Sequence, residues 1–171
     1  KPSDIFSINV DLFDPFGAIA AAVLVGMIYS QRRNLSGWNL LDALVPLFSI
    51  LAISLGLSRL ASGTSFGKET DLPWAINLWN AARHPTQVYE TLASLLIFGL
   101  LWFKKQNPHS GTHFLTFAAL TAGAQLIIET FRADTTLIFG ILNQNQLIAW
   151  VILAVCFLAI ELRIRKIQKT D

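Results

Sequence analysis

Long stretches of this chain carry no charged residue, among them Pro15 to Gln31, Thr91 to Phe103, and Thr135 to Ile160. Runs of that kind are the signature of helices that cross a membrane. Soluble domains carry about 25% charged residues spread over their surface. This chain of 171 residues carries 14%, with 53% hydrophobic residues. The expected fold class is therefore all-α: a polytopic integral membrane helix bundle forming a single membrane domain over 1–171. Five spans are expected, at about 15–31, 40–60, 85–103, 112–131 and 144–162. Residues 1–14 read as an outer lead-in and 163–171 as a basic tail. Lys1-Pro2-Ser3-Asp4 has no apolar run of the signal-peptide kind, and a start at Lys1 rather than Met leaves room for residues upstream.

The remaining composition excludes several function classes. The single cysteine, Cys156, rules out an internal disulfide and a cysteine metal cluster. A net charge of +2 is too small to suggest a nucleic-acid partner. His109 and His113 are four residues apart but have no third ligand nearby in sequence, so no metal site is expected.

Orientation follows from the basic residues, which favour the cytoplasmic side. Placing the loop after the first span inside puts Arg32, Arg33, Lys104, Lys105, Arg163, Arg165, Lys166 and Lys169 there, eight of the 13. Lys1, Arg59, Lys68, Arg83 and Arg132 fall outside. The N-terminus is then outside and the C-terminus cytoplasmic. Two tryptophans, Trp74 and Trp79, place the long connection Ala61–Ala82 in the head-group layer.

With that orientation, polar groups gather at the outer ends of three spans. Arg83-His84-Pro85-Thr86-Gln87-Val88-Tyr89-Glu90 opens the third span, since Pro85 suits a first helical turn. Counted as a helix, Arg83, Gln87 and Glu90 share a face. Gln125, Glu129 and Arg132 repeat that spacing on the fourth span, and Arg59 ends the second. Ionisable groups at this depth are functional candidates by default. Arginine matches phosphate with paired donors in a planar fork. Arg59, Arg83, Gln87, Tyr89, Gln125 and Glu129 are thus candidates for binding a phospholipid head group. His84, Glu90 and Arg132 are candidates for chemistry, histidine being the residue type that titrates nearest neutrality. The alternative is a set of ion pairs, Arg83 with Glu90 or Glu129 with Arg132, that only fixes helix contacts.

The eight-residue stretch resembles the Arg-His-Pro-Ser-Gln-Leu-Tyr-Glu motif of bacterial prolipoprotein diacylglyceryl transferases. Glu129-Thr130-Phe131-Arg132 resembles that family's Glu-Phe-Phe-Arg, and Asn145-Gln146-Leu147 its turn into the last helix. Asp42, Pro46 and Gly67 fall in register with it too. The resemblance runs from about Pro15 to the C-terminus. It implies transfer of the diacylglyceryl group of phosphatidylglycerol to the cysteine thiol of a preprolipoprotein. It also implies the outer face of the bacterial cytoplasmic (inner) membrane, with no metal or soluble cofactor.

The chain departs from the family at several positions. The family has about seven spans. Its Gly-Arg-x-Gly-Asn-Phe-x-Asn-x-Glu motif falls, in ungapped register, on Leu55 to Thr64, with its arginine at Gly56 and its first asparagine at Arg59. Its arginine four residues before Glu129 is Gln125 here, and its His-Gly-Gly appears as Phe16-Gly17-Ala18. Two readings follow. One is a shortened transferase of weak or absent activity. The other is a non-catalytic lipid-binding accessory subunit of a larger membrane complex.

Overall fold

In a membrane the apolar side chains point outward and the scarce polar ones inward, and this protein follows that pattern. The computed structural model describes residues 15–103, 110–138 and 142–168. Its helices are α1 (Pro15–Arg32), α2 (Gly37–Ser62), α3 (Thr86–Phe103), α4 (Thr112–Glu129) and α5 (Gln144–Gln168). On α3 the buried residues include Thr86, Gln87, Glu90 and Thr91. Leu92, Leu96 and Leu100 on its other face are exposed. A water-soluble helix shows the reverse pattern. The protein is an all-α membrane bundle, as expected. Among the described residues three helical stretches, Gly37–Ser62, Thr86–Phe103 and Gln144–Arg163, are long and apolar enough to cross a bilayer. The apolar part of α1, Gly17–Arg32, is shorter, and α4 carries His113, Gln125 and Glu129 within its 18 residues. The lead-in 1–14, the 104–109 turn with His109, and residues 169–171 of the tail lie outside the described residues.

The chain falls into two compact units, Lys1–Leu40 and Leu41–Asp171. The first holds α1 and the opening turn of α2. There the Leu35 N–H donates to Ser30 O (3.0 Å) and Ser30 Oγ donates to Leu35 O (2.7 Å). Ser36 Oγ accepts the Asn39 N–H at 3.3 Å, the usual serine cap on a helix start.

The second unit holds the rest. α2 and α3 touch closely at Gly56: a Cβ there would stand 2.4 Å from Thr91 Oγ1 and 3.1 Å from Thr91 N. Close backbone approach at a small residue is the common device of helix contacts in membranes. Val45, Ile97 and Leu101 form one apolar cluster, with Phe114 and Phe117 packed against it. Leu115, Ala119 and Cys156 form a second, joining α4 to α5. Asp42 caps a helix other than its own. Its carboxylate accepts the Gly111 N–H (2.5 Å) and the Phe114 N–H (2.8 Å), satisfying free donors at the start of α4.

The connection from α2 to α3 holds a hairpin, β1 (Ile76–Leu78) with β2 (Ala81–Arg83), in the antiparallel register Ile76↔Arg83. Its two-residue turn, Trp79-Asn80, has positive φ at both positions (55° and 60°), the type I′ arrangement. A second short pair, β3 (Leu137–Ile138) with β4 (Leu142–Asn143), joins α4 to α5. The segment Phe66–Thr70 lies between two partners. On one side Thr70 N–H donates to Ala82 O and His84 N–H to Lys68 O, both at 3.0 Å. On the other, Lys68 N–H donates to Phe131 O (2.8 Å) and Ala133 N–H to Phe66 O (3.0 Å). These bonds tie the start of α3 and the end of α4 to one layer.

One expectation fails here. α3 begins at Thr86, and Arg83 belongs to β2. Arg83 therefore shares no helix face with Gln87 and Glu90. Proline disfavours helical backbone in the residue before it, so a helix opened by Pro85 cannot run back through His84.

Candidate functional site

Arg59 leaves the last turn of α2 and donates from Nη1 to Glu90 Oε2 of α3 at 2.7 Å. Glu90 Oε1 lies 3.6 Å from Nη1 of Arg132, just beyond α4. The guanidinium of Arg132 is buried and almost fully occupied. It donates to both Asp134 oxygens (3.0 and 3.2 Å) and to Ser65 Oγ (3.0 Å), and it stands 3.5 Å from Glu129 Oε2. Burial alone lowers the pKa of Arg132. The Asp134 hydrogen bond and the charges of Glu129, Asp134 and Glu90 outweigh it and raise the pKa above the ordinary arginine value.

Glu129 is 1% exposed and is the hub of the group. Oε2 accepts from Gln125 Nε2 at 3.1 Å as well as facing Arg132. Oε1 accepts from Asn145 Nδ2 (2.7 Å) and Asn143 Nδ2 (3.4 Å). A buried carboxylate is stable only when its lone pairs are used in this way. Asn143 Oδ1 also accepts the backbone N–H groups of Asn145 (3.0 Å) and Gln146 (3.5 Å), capping α5. One residue thus starts the last helix and helps hold the site.

The eight-residue stretch divides among three tasks. Thr86 Oγ1 donates to Ser65 O (2.6 Å) and Gln87 Nε2 to Thr64 O (2.8 Å), so the helix start grips the 64–65 backbone. Ser65 is held at φ 58°, a costly conformation for a non-glycine residue that is often found at working sites. His84 and Tyr89 form an aromatic group with Phe131. The His84 and Phe131 ring centroids are 5.0 Å apart, His84 Nδ1 is 3.4 Å from Tyr89 Oη, and the Trp74 indole donates to Tyr89 Oη at 2.9 Å. Arg83 is turned to other partners: Leu78 O (3.2 Å), Gly67 O (3.4 Å), Glu69 (3.1 Å) and the Phe66 ring.

Two cavities meet at Arg59, Thr121 and Gln125. The larger, about 420 Å³, runs between α4 and α5, with Arg59, Gln125, Arg132 and Asn145 at its polar end. The smaller, about 160 Å³, lies among α2, α3 and α4 and is lined by Gly56 and Glu90. His84 and Arg83 line neither. The structure therefore joins Arg59, Glu90, Gln125, Glu129 and Arg132, places Gln87 beside them on Thr64, and sets His84, Tyr89 and Arg83 apart. A third cavity, about 220 Å³, is bounded by Val45, Pro46 and His113.

A family model described as prolipoprotein diacylglyceryl transferase matches residues 1–161. The chain belongs to the prolipoprotein diacylglyceryl transferase family. Proteins named phosphatidylglycerol–prolipoprotein diacylglyceryl transferase resemble it along most of its length. The one from Acaryochloris marina is 32% identical over 149 residues, 79% of this chain and 54% of that protein. The one from Finegoldia magna is 31% identical over 164 residues, 91% of this chain and 63% of that protein. The one from Corynebacterium diphtheriae is 29% identical over 180 residues, 91% of this chain and 62% of that protein. The chain thus spans little more than half the length of these relatives. Within this diacylglyceryl transferase family member, Ser65, Asp134 and Asn143 are site residues that spacing alone did not indicate. Each reaches the site through a loop bond rather than a helix face. Asn145 was legible only as part of the turn into α5.

Proposed function

We propose that this membrane protein binds an anionic phospholipid, phosphatidylglycerol by analogy with its relatives, with the phosphate on Arg59. The observation that carries this reading is the state of that side chain. Arg59 spends one N–H on Glu90, is 38% exposed, and opens on both cavities. A guanidinium has five donors, so the rest of its fork faces the space where a head group fits. Arg132 is committed to protein partners and acts as the post that holds Glu90 and Glu129.

Gly56 bears on the family register. With Thr91 Oγ1 2.4 Å from any Cβ, position 56 has no room for an arginine. The ungapped register keeps Gly67 matched; shifting the motif by three residues would put its glutamate on Gly67, where a Cβ would stand 2.3 Å from His84 O. The register therefore stays, and Arg59, almost one turn beyond Gly56, takes over the arginine role from there, which leaves Gln125 as the other lost arginine.

The reaction under this reading is displacement at the glycerol carbon of the lipid. A cysteine thiolate forms the C–S bond, the C–O bond to phosphate breaks, and glycerol phosphate leaves carrying the negative charge. Arg59 stabilises that charge, and Glu90 Oε1, buried without a hydrogen-bond donor, is the oxygen available to the thiol proton. Two features make any transfer weak. The ion-pair group holds two guanidiniums, Arg59 and Arg132, against three carboxylates, Glu90, Glu129 and Asp134, a formal −1. Gln125 supplies only a neutral donor, and charge-assisted bonds are about twice as strong. The same features favour the second reading, a non-catalytic lipid-binding subunit of a larger membrane assembly.

Mass spectrometry of the protein purified in detergent tests the lipid. Phosphatidylglycerol should remain bound, and Arg59→Ala should lower its occupancy severalfold, while Arg83→Ala should change it little. Equal occupancy in wild type and Arg59→Ala would reject the site.

The outward placement in the bacterial cytoplasmic membrane rests on the basic residues and is tested separately. A cysteine at Thr70 should react with an impermeant thiol reagent on intact cells, and one at Gln106 should not. The opposite pattern puts Arg59 and its cluster on the wrong face for lipoprotein chemistry.

A further inference from the structure

We propose that Phe114 and Phe117, backed by Phe48, form a stop that sets the length of the acyl chain held beneath the head-group site. The inference rests on the phosphate reading above. The larger cavity has its polar groups at one end and apolar walls along the rest, with Phe114 and Phe117 from α4 and Ile148 and Ile152 from α5. At 1.5 Å per residue, Gln125 to Phe114 spans about 16 Å along α4. One leaflet of hydrocarbon is about 15 Å deep, half of the ~30 Å core. The groove therefore has the depth of one lipid tail.

Aromatic rings pack at its far end. The Phe48 ring lies 5.9 Å from Phe114, edge-on, and 6.3 Å from Phe117, stacked. Phe114 and Phe117 in turn rest on the Val45, Ile97 and Leu101 cluster. Across the groove, the buried Cys156 packs on Leu115 and Ala119 and brings α5 onto α4 just below Ile152. A tail that enters beside Arg59 thus meets packed aromatic side chains rather than open lipid. Small residues in the walls above the stop leave the groove its room: Ala122 and Ala149 are 6% and 3% exposed. Hydrocarbon offers no hydrophobic drive between an apolar groove and an apolar tail. Fit then comes down to packing contacts, which overlap and voids both weaken.

The experiment offers the full-length protein in detergent an equimolar series of phosphatidylglycerols of increasing chain length, and native mass spectrometry reads which remain bound. Wild type should show a cut-off. Phe117→Ala should raise the ratio of longer to shorter chains by roughly threefold or more, the scale of a few packing contacts. Ala122→Leu, which narrows the groove without deepening it, should lower total occupancy. If Phe117→Ala does not fold, Phe48→Ala removes the backing ring and should produce the same shift. A chain-length distribution identical in wild type and in the folded phenylalanine variant overturns the stop. Arg59→Ala separates the two claims. Loss of phosphatidylglycerol in that variant with no chain-length shift in Phe117→Ala rejects the stop and keeps the head-group site. A chain-length shift with phosphatidylglycerol still bound to Arg59→Ala keeps the stop and rejects the head-group site.

Discussion

Arg132→Ala is expected to destabilise the protein by about 3–5 kcal/mol, the usual cost of leaving a buried charge without its partner. The change removes both bonds to Asp134, the bond to Ser65 Oγ, and the positive charge facing Glu129 and Glu90. Glu129 would keep only neutral donors, Gln125, Asn143 and Asn145, at 1% exposure. Thermal unfolding in detergent reads the effect. Glu129→Gln made together with Arg132→Ala should recover part of it, because the orphaned charge is then gone. Arg83→Ala is the contrast. Its partner Glu69 is 69% exposed, and exposed ion pairs contribute about 0–1 kcal/mol. A loss below about 1 kcal/mol for Arg132→Ala would mean that water already solvates the carboxylates.

How much of this was legible in the sequence depends on which interactions are local. Helices were legible, because a charge-free apolar run states its own environment. α2 to α5 start and end within a few residues of the expected spans, except for the longer C-terminal end of α5. The hairpin was not legible. Ile76-Asn77-Leu78 alternates apolar and polar residues for only three positions, too few to mark a strand, and a turn at Trp79-Asn80 lacks the glycine that normally marks positive φ. Helical counting back through Pro85 misplaces Arg83, because Pro85 itself favours extended backbone at His84. In sequence Asp42 stands near the start of its own helix, and only the fold shows that it caps α4. The crowding at Gly56 was not legible for a similar reason. A sequence match cannot see that Thr91 occupies the space of a side chain. The i, i+4 pair Gln125–Glu129 survived because it lies inside one helix, where spacing and contact are the same statement.

The chemistry is decided by whether this chain replaces a bacterium's own diacylglyceryl transferase. Rescue by wild type is expected to be weak or absent. Stabilising a leaving phosphate with fixed charge contributes strongly, and losing one donor typically costs ~3 kcal/mol, a rate factor of 10²–10³. On the proposed reading Gln125 marks such a loss. It lines both cavities and stands 3.1 Å from Glu129. Gln125→Arg adds a guanidinium at that point and brings the ion-pair group from formal −1 to neutral. That single change should raise activity by an order of magnitude or more if the cleft is otherwise intact. Gly56→Arg should do the opposite: with Thr91 Oγ1 and its backbone in the way, the helices must separate, and the protein should lose stability rather than gain activity. Full rescue by wild type, abolished by Arg59→Ala, would show that one free arginine suffices. No gain from Gln125→Arg in a folded, membrane-inserted protein would favour the accessory-subunit reading, because the charge would then be restored and the reaction still missing.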